Sequence, residues 1–173
     1  LSMRSICLMI DGLANIVQGS EAATLHSAWL RERPQDYGPQ VLARIQLGLS
    51  YSATQYLQAM QARPRIIRQF VHDVFSRCDV LHVPGIPVPL PTIADTDVED
   101  AQGFTELLSG ISRCTRDFNY LGVPSLSVPA GFTRNGLPCG FQLVGRPFAA
   151  ATLFRAAAAY EAATQWTTQA PEL

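Results

Sequence analysis

The side chains able to carry chemistry are few, and their spacing completes no site. Histidine titrates nearest neutral pH, and this chain has three, His26, His72 and His82. Two fall in helical patterns and one in a strand-like run, none at metal-ligand spacing, so each reads as structural. Cys7, Cys78, Cys114 and Cys139 contain no Cys-x-x-Cys pair and no histidine at zinc spacing. They read as reduced, buried thiols. A nucleophile elbow requires Gly-x-Ser-x-Gly after a strand; no serine sits in that frame, and Gly48-Leu49-Ser50 falls inside a helical pattern. No P-loop, dinucleotide fingerprint or His-Glu-x-x-His occurs. All thirteen basic residues are arginine. A lysine base, Schiff base or phosphate-binding lysine therefore cannot come from this polypeptide. Asp95, Asp97, Glu99 and Asp100 crowd four carboxylates together, but without the glycine turn and final glutamate of a calcium loop. They read as dipole and solvation chemistry ahead of a helix. The residues by themselves specify no catalytic residue, no metal and no cofactor.

Composition narrows the remaining classes. The 173 residues are enough to bury a real core, and 47% hydrophobic with 16% charged excludes disorder. A net charge of −1 with scattered arginines gives no footprint for nucleic acid. No uncharged apolar run approaches the ~20 residues of a membrane span, and Ile6 to Ile10 is shorter than the core of a signal peptide. The expected location is cytoplasmic.

The elements follow from periodicity and punctuation. Residues 1–78 read as helical. Leu8, Ile10, Leu13, Ile16 and Val17 form one stripe, and Gly19-Ser20 is expected to break it, with Ser20 capping a second helix to Arg33 that Pro34 ends. Gly38-Pro39 opens a helix with Val41, Leu42, Ile45 and Leu49 on its apolar side. Ser52-Ala53-Thr54-Gln55 spells a capping box for a long helix, which Pro64 should kink or split. Residues 79–148 read as strand, loop and hairpin. Asp79 to Val83 is expected to be a buried strand, Pro84 to Pro91 an extended loop, and Phe104 to Ser112 a helix. Ser125 to Phe132 and Cys139 to Gly145 flank Asn135-Gly136, a pair suited to positive φ in a tight turn. Residues 149–165 form a closing helix with Leu153, Ala156, Ala157 and Tyr160 on one stripe. Helices around a few strands read as α/β or α+β.

From residue 115 the order of residues is specific. Thr115-Arg-Asp-Phe-Asn-Tyr-Leu-Gly-Val-Pro-Ser-Leu-Ser-Val-Pro-Ala-Gly-Phe132, with Gly136-Leu-Pro-Cys-Gly-Phe-Gln-Leu-Val-Gly-Arg-Pro-Phe148, closely resembles the C-terminal segment of amidase signature enzymes. Asp79 to Pro84 with the following prolines, Glu21-Ala-Ala-Thr-Leu-His26, and Tyr160-Glu161 through Trp166 resemble further parts of that family. The likeness runs from about residue 20 to 171.

The resemblance implies the C-terminal part of the amidase signature fold, a mixed sheet flanked by helices within a single domain spanning residues 1–173. It also implies hydrolysis of carboxylic amides by a Ser, a second Ser and a Lys, all in an N-terminal half with no counterpart here, so the chain alone is expected to be inactive. The family usually has Thr-x-Pro-Phe-Asn where this sequence has Thr115-Arg116-Asp117-Phe118-Asn119, and often Thr-Pro-Thr where it has Val83-Pro84-Gly85. In the family both lie in loops near the substrate pocket, which marks Thr115, Asp117 and Asn119 as substrate-binding positions. The implied partner is a small-molecule amide, with no nucleic acid and no membrane, and self-association is expected through an exposed apolar patch or strand edge. The other reading is a noncatalytic assembly segment, or part of the A-type subunit of a glutamyl-tRNA amidotransferase.

Overall fold

Helix α1 (Met3–Glu32) runs unbroken through Gly19-Ser20, where the sequence pattern predicts a break. The structure is a computed structural model that describes residues 3–96 and 101–170. Ser20 does not cap; its hydroxyl is buried without a hydrogen-bond partner. The reason for Gly19 lies in α2 (Pro39–Gly48), which Gly38 and Pro39 open as expected. A Cβ on Gly48 would stand 2.0 Å from the Gly19 carbonyl oxygen, and one on Gly19 would stand 2.9 Å from the Tyr51 ring. Glycine here lets two backbones touch and does not end a helix. Of the stripe on α2, Ile45 is buried, whereas Val41 and Leu49 are exposed.

Ser52 and Gln55 form the capping box of α3 (Ala53–Phe75): the Ser52 amide donates to Gln55 Oε1 at 2.8 Å, and the Gln55 amide donates to Ser52 Oγ at 3.2 Å. The helix passes Pro64 without interruption. After β1 (Val80–Pro84) and the proline-rich loop comes the single turn α4 (Ile93–Thr96). There Thr92 and Asp95 repeat the reciprocal cap, and the bonds from Thr92 hold the Asp95 carboxyl below its usual range. Asp97, Glu99 and Asp100 lie outside the described residues. Helix α5 (Ala101–Ser112) and the short α6 (Arg116–Leu121) follow. Two compact units result, Leu1–Ile66 with Pro91–Leu108, and Ile67–Leu90 with Ser109–Leu173.

The second unit holds the sheet. Strands β2 (Ser125–Phe132) and β3 (Pro138–Gly145) form the expected hairpin, with Val128 opposite Phe141 and Ser127 opposite Gln142. β1 pairs with the other side of β3, giving the order β1-β3-β2, antiparallel throughout. β1 is thus an edge strand, half-buried, where a buried one was predicted. In the hairpin connection the Thr133 amide donates to the Leu137 carbonyl at 2.8 Å and the Gly136 amide to the Thr133 carbonyl at 3.0 Å. Gly136 takes positive φ (76°) and Asn135 does not, so this is a three-residue loop with glycine in the left-handed position, not a two-residue turn.

Helix α7 (Ala150–Thr164) closes one face of the sheet. Val128, Phe141 and Leu143 pack on Leu153, flanked by the predicted Ala156, Ala157 and Tyr160. Leu153 is 1% exposed, a burial that contributes about 2 kcal/mol. Strand alternation sends Gln142 and Val144 to the opposite face, where both are also buried. A separate set of rings meets edge-on, Phe70 with Phe75 at 5.7 Å, and Phe70 lies 6.1 Å from Phe118.

Three substitutions test these readings. Gly48→Ala gains helix propensity of about 1 kcal/mol, yet the clash with the Gly19 carbonyl should leave a net loss of about 2 kcal/mol in denaturant unfolding. Gly136→Ala should cost about 1 kcal/mol because alanine resists positive φ, whereas Asn135→Ala should leave the unfolding midpoint unchanged; equal costs at both positions would restore the two-residue turn.

Candidate functional site

Helix α6 and the residue before it carry the predicted substrate-binding positions Thr115, Asp117 and Asn119. The sequence reading puts Asp117 and Asn119 in a loop; both are helical. Gly122 accounts for the difference, because its positive φ (67°) and the hydrogen bond its N–H donates to the Phe118 carbonyl at 2.8 Å form a left-handed C-cap that closes the helix. Phe118, Tyr120 and Leu121 are buried and fix α6 in place.

The three positions do not converge. Thr115 precedes α6 and donates its hydroxyl to the Ser112 carbonyl at 3.1 Å. Asp117 lies in the first turn of α6, where a carboxylate complements the helix dipole. Residues two apart on a helix do not face each other, so Asp117 points away from Asn119. Asn119 is exposed and lines an open cleft of about 460 Å³ with Phe118, Val123, Pro124, Pro147 and Phe148. One polar side chain in this cleft can orient an amide by hydrogen bonding; it cannot cleave one.

Phe148 at this cleft and Arg146 just before it in the chain escape the sequence reading. Phe148 is fully exposed and adopts φ of 64°, a left-handed backbone that a bulky residue rarely takes. Nothing in its local sequence signals that conformation. Arg146 donates Nη2 to the carbonyl of Phe75, the last residue of α3, and its guanidinium lies 5.6 Å from the centre of the Phe75 ring. A cation on an orphan C-terminal carbonyl satisfies the helix end and ties the exit of β3 to it.

The histidines are engaged structurally. His26 Nδ1 lies 2.9 Å from the Tyr37 hydroxyl, with its ring edge-on to Trp29. His82 lies against the Phe141 ring at 4.4 Å. His72 contacts Asp73, whose carboxyl is held below the usual range first by hydrogen bonds from Gln69 and then by His72. Glu21 accepts the Tyr56 hydroxyl at 3.0 Å, which raises the phenol pKa and joins α1 to α3. The Glu21 to His26 motif therefore makes two ties, to Tyr56 and Tyr37. Cys78, Cys114 and Cys139 are free thiols, but Cys139 is exposed where burial was expected. Among the described residues no three His, Cys, Asp or Glu side chains gather as a metal site, and no helix is long and apolar enough to cross a membrane.

An α/β chain with a cleft holding one polar side chain beside a short helix, and a hairpin sheet closed by a C-terminal helix, describes a class of architecture. Comparison with known proteins assigns the family: residues 3–154 match the Amidase family, and the chain belongs to it. It is 36% identical over 154 residues to an amidase of Pseudomonas putida, covering 88% of this chain and 33% of the relative. It is 39% identical over 159 residues to the A-type subunit of the glutamyl-tRNA(Gln) amidotransferase of Chloroflexus aurantiacus, covering 89% of this chain and 31% of that one. Among solved structures, a crystal structure of an amidase superposes with a TM-score of 0.68 at 29% identity, over 80% of this chain and 32% of the other. A 6-aminohexanoate cyclic dimer hydrolase shares the fold, with a TM-score of 0.75 at 17% identity, over 89% and 34% of the two chains. The chain spans about a third of the length of these relatives and corresponds to their C-terminal portion.

Removing the tie at the α3 terminus should be measurable. Arg146→Met keeps the apolar stem but leaves the Phe75 carbonyl unpaired, and should cost about 2 kcal/mol in thermal or denaturant unfolding. Asn119→Ala, at an exposed position, should leave that transition within about 0.5 kcal/mol of the parent.

Proposed function

We propose that this chain is the C-terminal portion of a single amidase domain that hydrolyses carboxylic amides to an acid and ammonia or an amine. The nucleophilic Ser, the second Ser and the Lys are supplied by the N-terminal portion. The observation that carries this reading is the family match over residues 3–154 in a chain a third as long as its relatives and without a lysine. Activating a serine at neutral pH requires a base and a route for a proton to the leaving amine. His26 and His72 are engaged by Tyr37 and Asp73, and His82 packs on Phe141, which supports assigning the chemistry elsewhere.

Within this reading Asn119 orients the substrate amide from the cleft wall, while Thr115 and Asp117, which face elsewhere, secure the start of the helix that carries it. The partner is a small-molecule amide, the location is cytoplasmic, and no cofactor is required. Isolated, the chain self-associates through its open strand edges or the 53–77 helix, which light scattering at high concentration checks. The second reading, part of the A-type subunit of a glutamyl-tRNA amidotransferase, is supported by the 39% identity to the Chloroflexus aurantiacus protein.

The purified 173-residue chain, free of host amidases, should release no ammonia from simple amides above background. Losing a general base alone costs roughly 10²- to 10⁴-fold, and the nucleophile and oxyanion donors are assigned elsewhere too. Ammonia release abolished by substituting one of the chain's own serines would overturn the assignment.

A further inference from the structure

In the first unit, residues of α1, of α3 and of the turn between α2 and α3 line an open cavity of about 700 Å³. Ser20, Thr24, Ser27, Tyr51 and Ser52 bring hydroxyls to its wall, and Glu21 brings a carboxylate. Some of these groups are committed: Thr24 donates to the Ser20 carbonyl, and Ser52 belongs to the cap of α3. Glu21 is only half used. Its Oε1 accepts the Tyr56 hydroxyl at 3.0 Å, and among the described residues no cation pairs with the carboxylate. The Ser20 hydroxyl, in the same wall, is buried with no hydrogen-bond partner. Two aromatic rings complete the lining, Tyr56 and Tyr51, the second seated so closely on α1 that a Cβ on Gly19 would stand 2.9 Å from it.

An uncompensated carboxylate among hydroxyls and aromatic rings selects its ligand by charge. An anion is repelled, and one carboxylate supplies too few ligands to hold a divalent cation. A neutral polyol satisfies hydroxyls but leaves the charge unbalanced. A primary ammonium meets every requirement: its N–H donors make charge-assisted bonds to the free side of Glu21 and further bonds to hydroxyl oxygens, and a tyrosine face attracts a cation. Ala23, Leu49 and Ala53, also in the lining, offer apolar surface to a short alkyl tail. We propose that this cavity binds a primary alkylammonium ion with its nitrogen on Glu21. The site goes beyond the amidase reading and does not depend on it: all its residues belong to the first unit, whereas the Asn119 cleft belongs to the second.

The test titrates the purified chain with n-butylammonium chloride near neutral pH at constant ionic strength, with 1-butanol and sodium butyrate as the neutral and anionic counterparts. Calorimetry should show one saturable site for butylammonium and none for the other two. Glu21→Gln keeps an acceptor for the Tyr56 hydroxyl and removes the charge, so it should weaken binding by about tenfold or more. Tyr56→Phe removes the tie but keeps the carboxylate and the ring, and should bind as the parent does, as should Asn119→Ala in the other cleft. Nuclear Overhauser contacts from the butyl chain to the Tyr51 and Tyr56 ring protons locate the ligand in the parent chain, whether or not the Glu21 variant folds. The proposal is overturned if butylammonium does not saturate, if 1-butanol binds equally well, if folded Glu21→Gln binds as the parent does, if Asn119→Ala abolishes binding, or if the ring contacts are missing.

Discussion

A strand buried on both faces must satisfy every backbone donor and acceptor within the sheet, because no water reaches it. β3 is that strand here: Phe141 to Gly145 are all buried, with none of the alternation a half-exposed strand shows. Its central place between β1 and β2 follows directly, since an edge position would leave one side of this segment unpaired. The remaining features of the second unit hang from it. Phe141 and Leu143 demand an apolar cover, which the alanine-rich face of α7 provides at close range. The strand's exit carries Arg146 to the end of α3 and Pro147-Phe148 to the cleft beside Asn119. The cleft is thus positioned by the burial of a neighbouring strand more than by interactions of its own.

What the sequence made legible was local. The Ser52–Gln55 cap, the hairpin and the stripe on α7 depend on residues within a few positions of one another, and each is present, the hairpin with a three-residue loop in place of the tight two-residue turn. What escaped was non-local. Gly19 looks like a helix break until Gly48 is seen against it, and nothing around residue 19 announces a partner 29 positions away. β1 reads as buried from its β-branched residues, but edge or centre is a property of the strand order. The helix at Asp117 and Asn119 is a different case, because Gly122 followed by Val123-Pro124 is a C-cap signal that was available. At the cleft, Asn119 was identified from the resemblance, whereas the strained backbone of Phe148 has no counterpart in local sequence.

The family motif at Glu21 to His26 shows how a recognisable pattern can serve architecture. Glutamate and histidine suggest acid–base chemistry on paper, yet one accepts a tyrosine hydroxyl across 35 residues and the other meets a tyrosine 11 residues on. The two hydrogen bonds fix the direction in which α1 leaves its neighbours.

The contact between Gly19 and Gly48 also acts as a key for axial position. Helices packed through flexible side chains can ratchet past one another by a whole turn of about 5.4 Å. This pair is denied that freedom. Sliding α2 by one turn would bring Arg44 or Ile45 to the place where even a methyl group meets a carbonyl oxygen. The α1–α2 pair therefore has a single permitted setting, and any motion it makes must be a separation and not a slip.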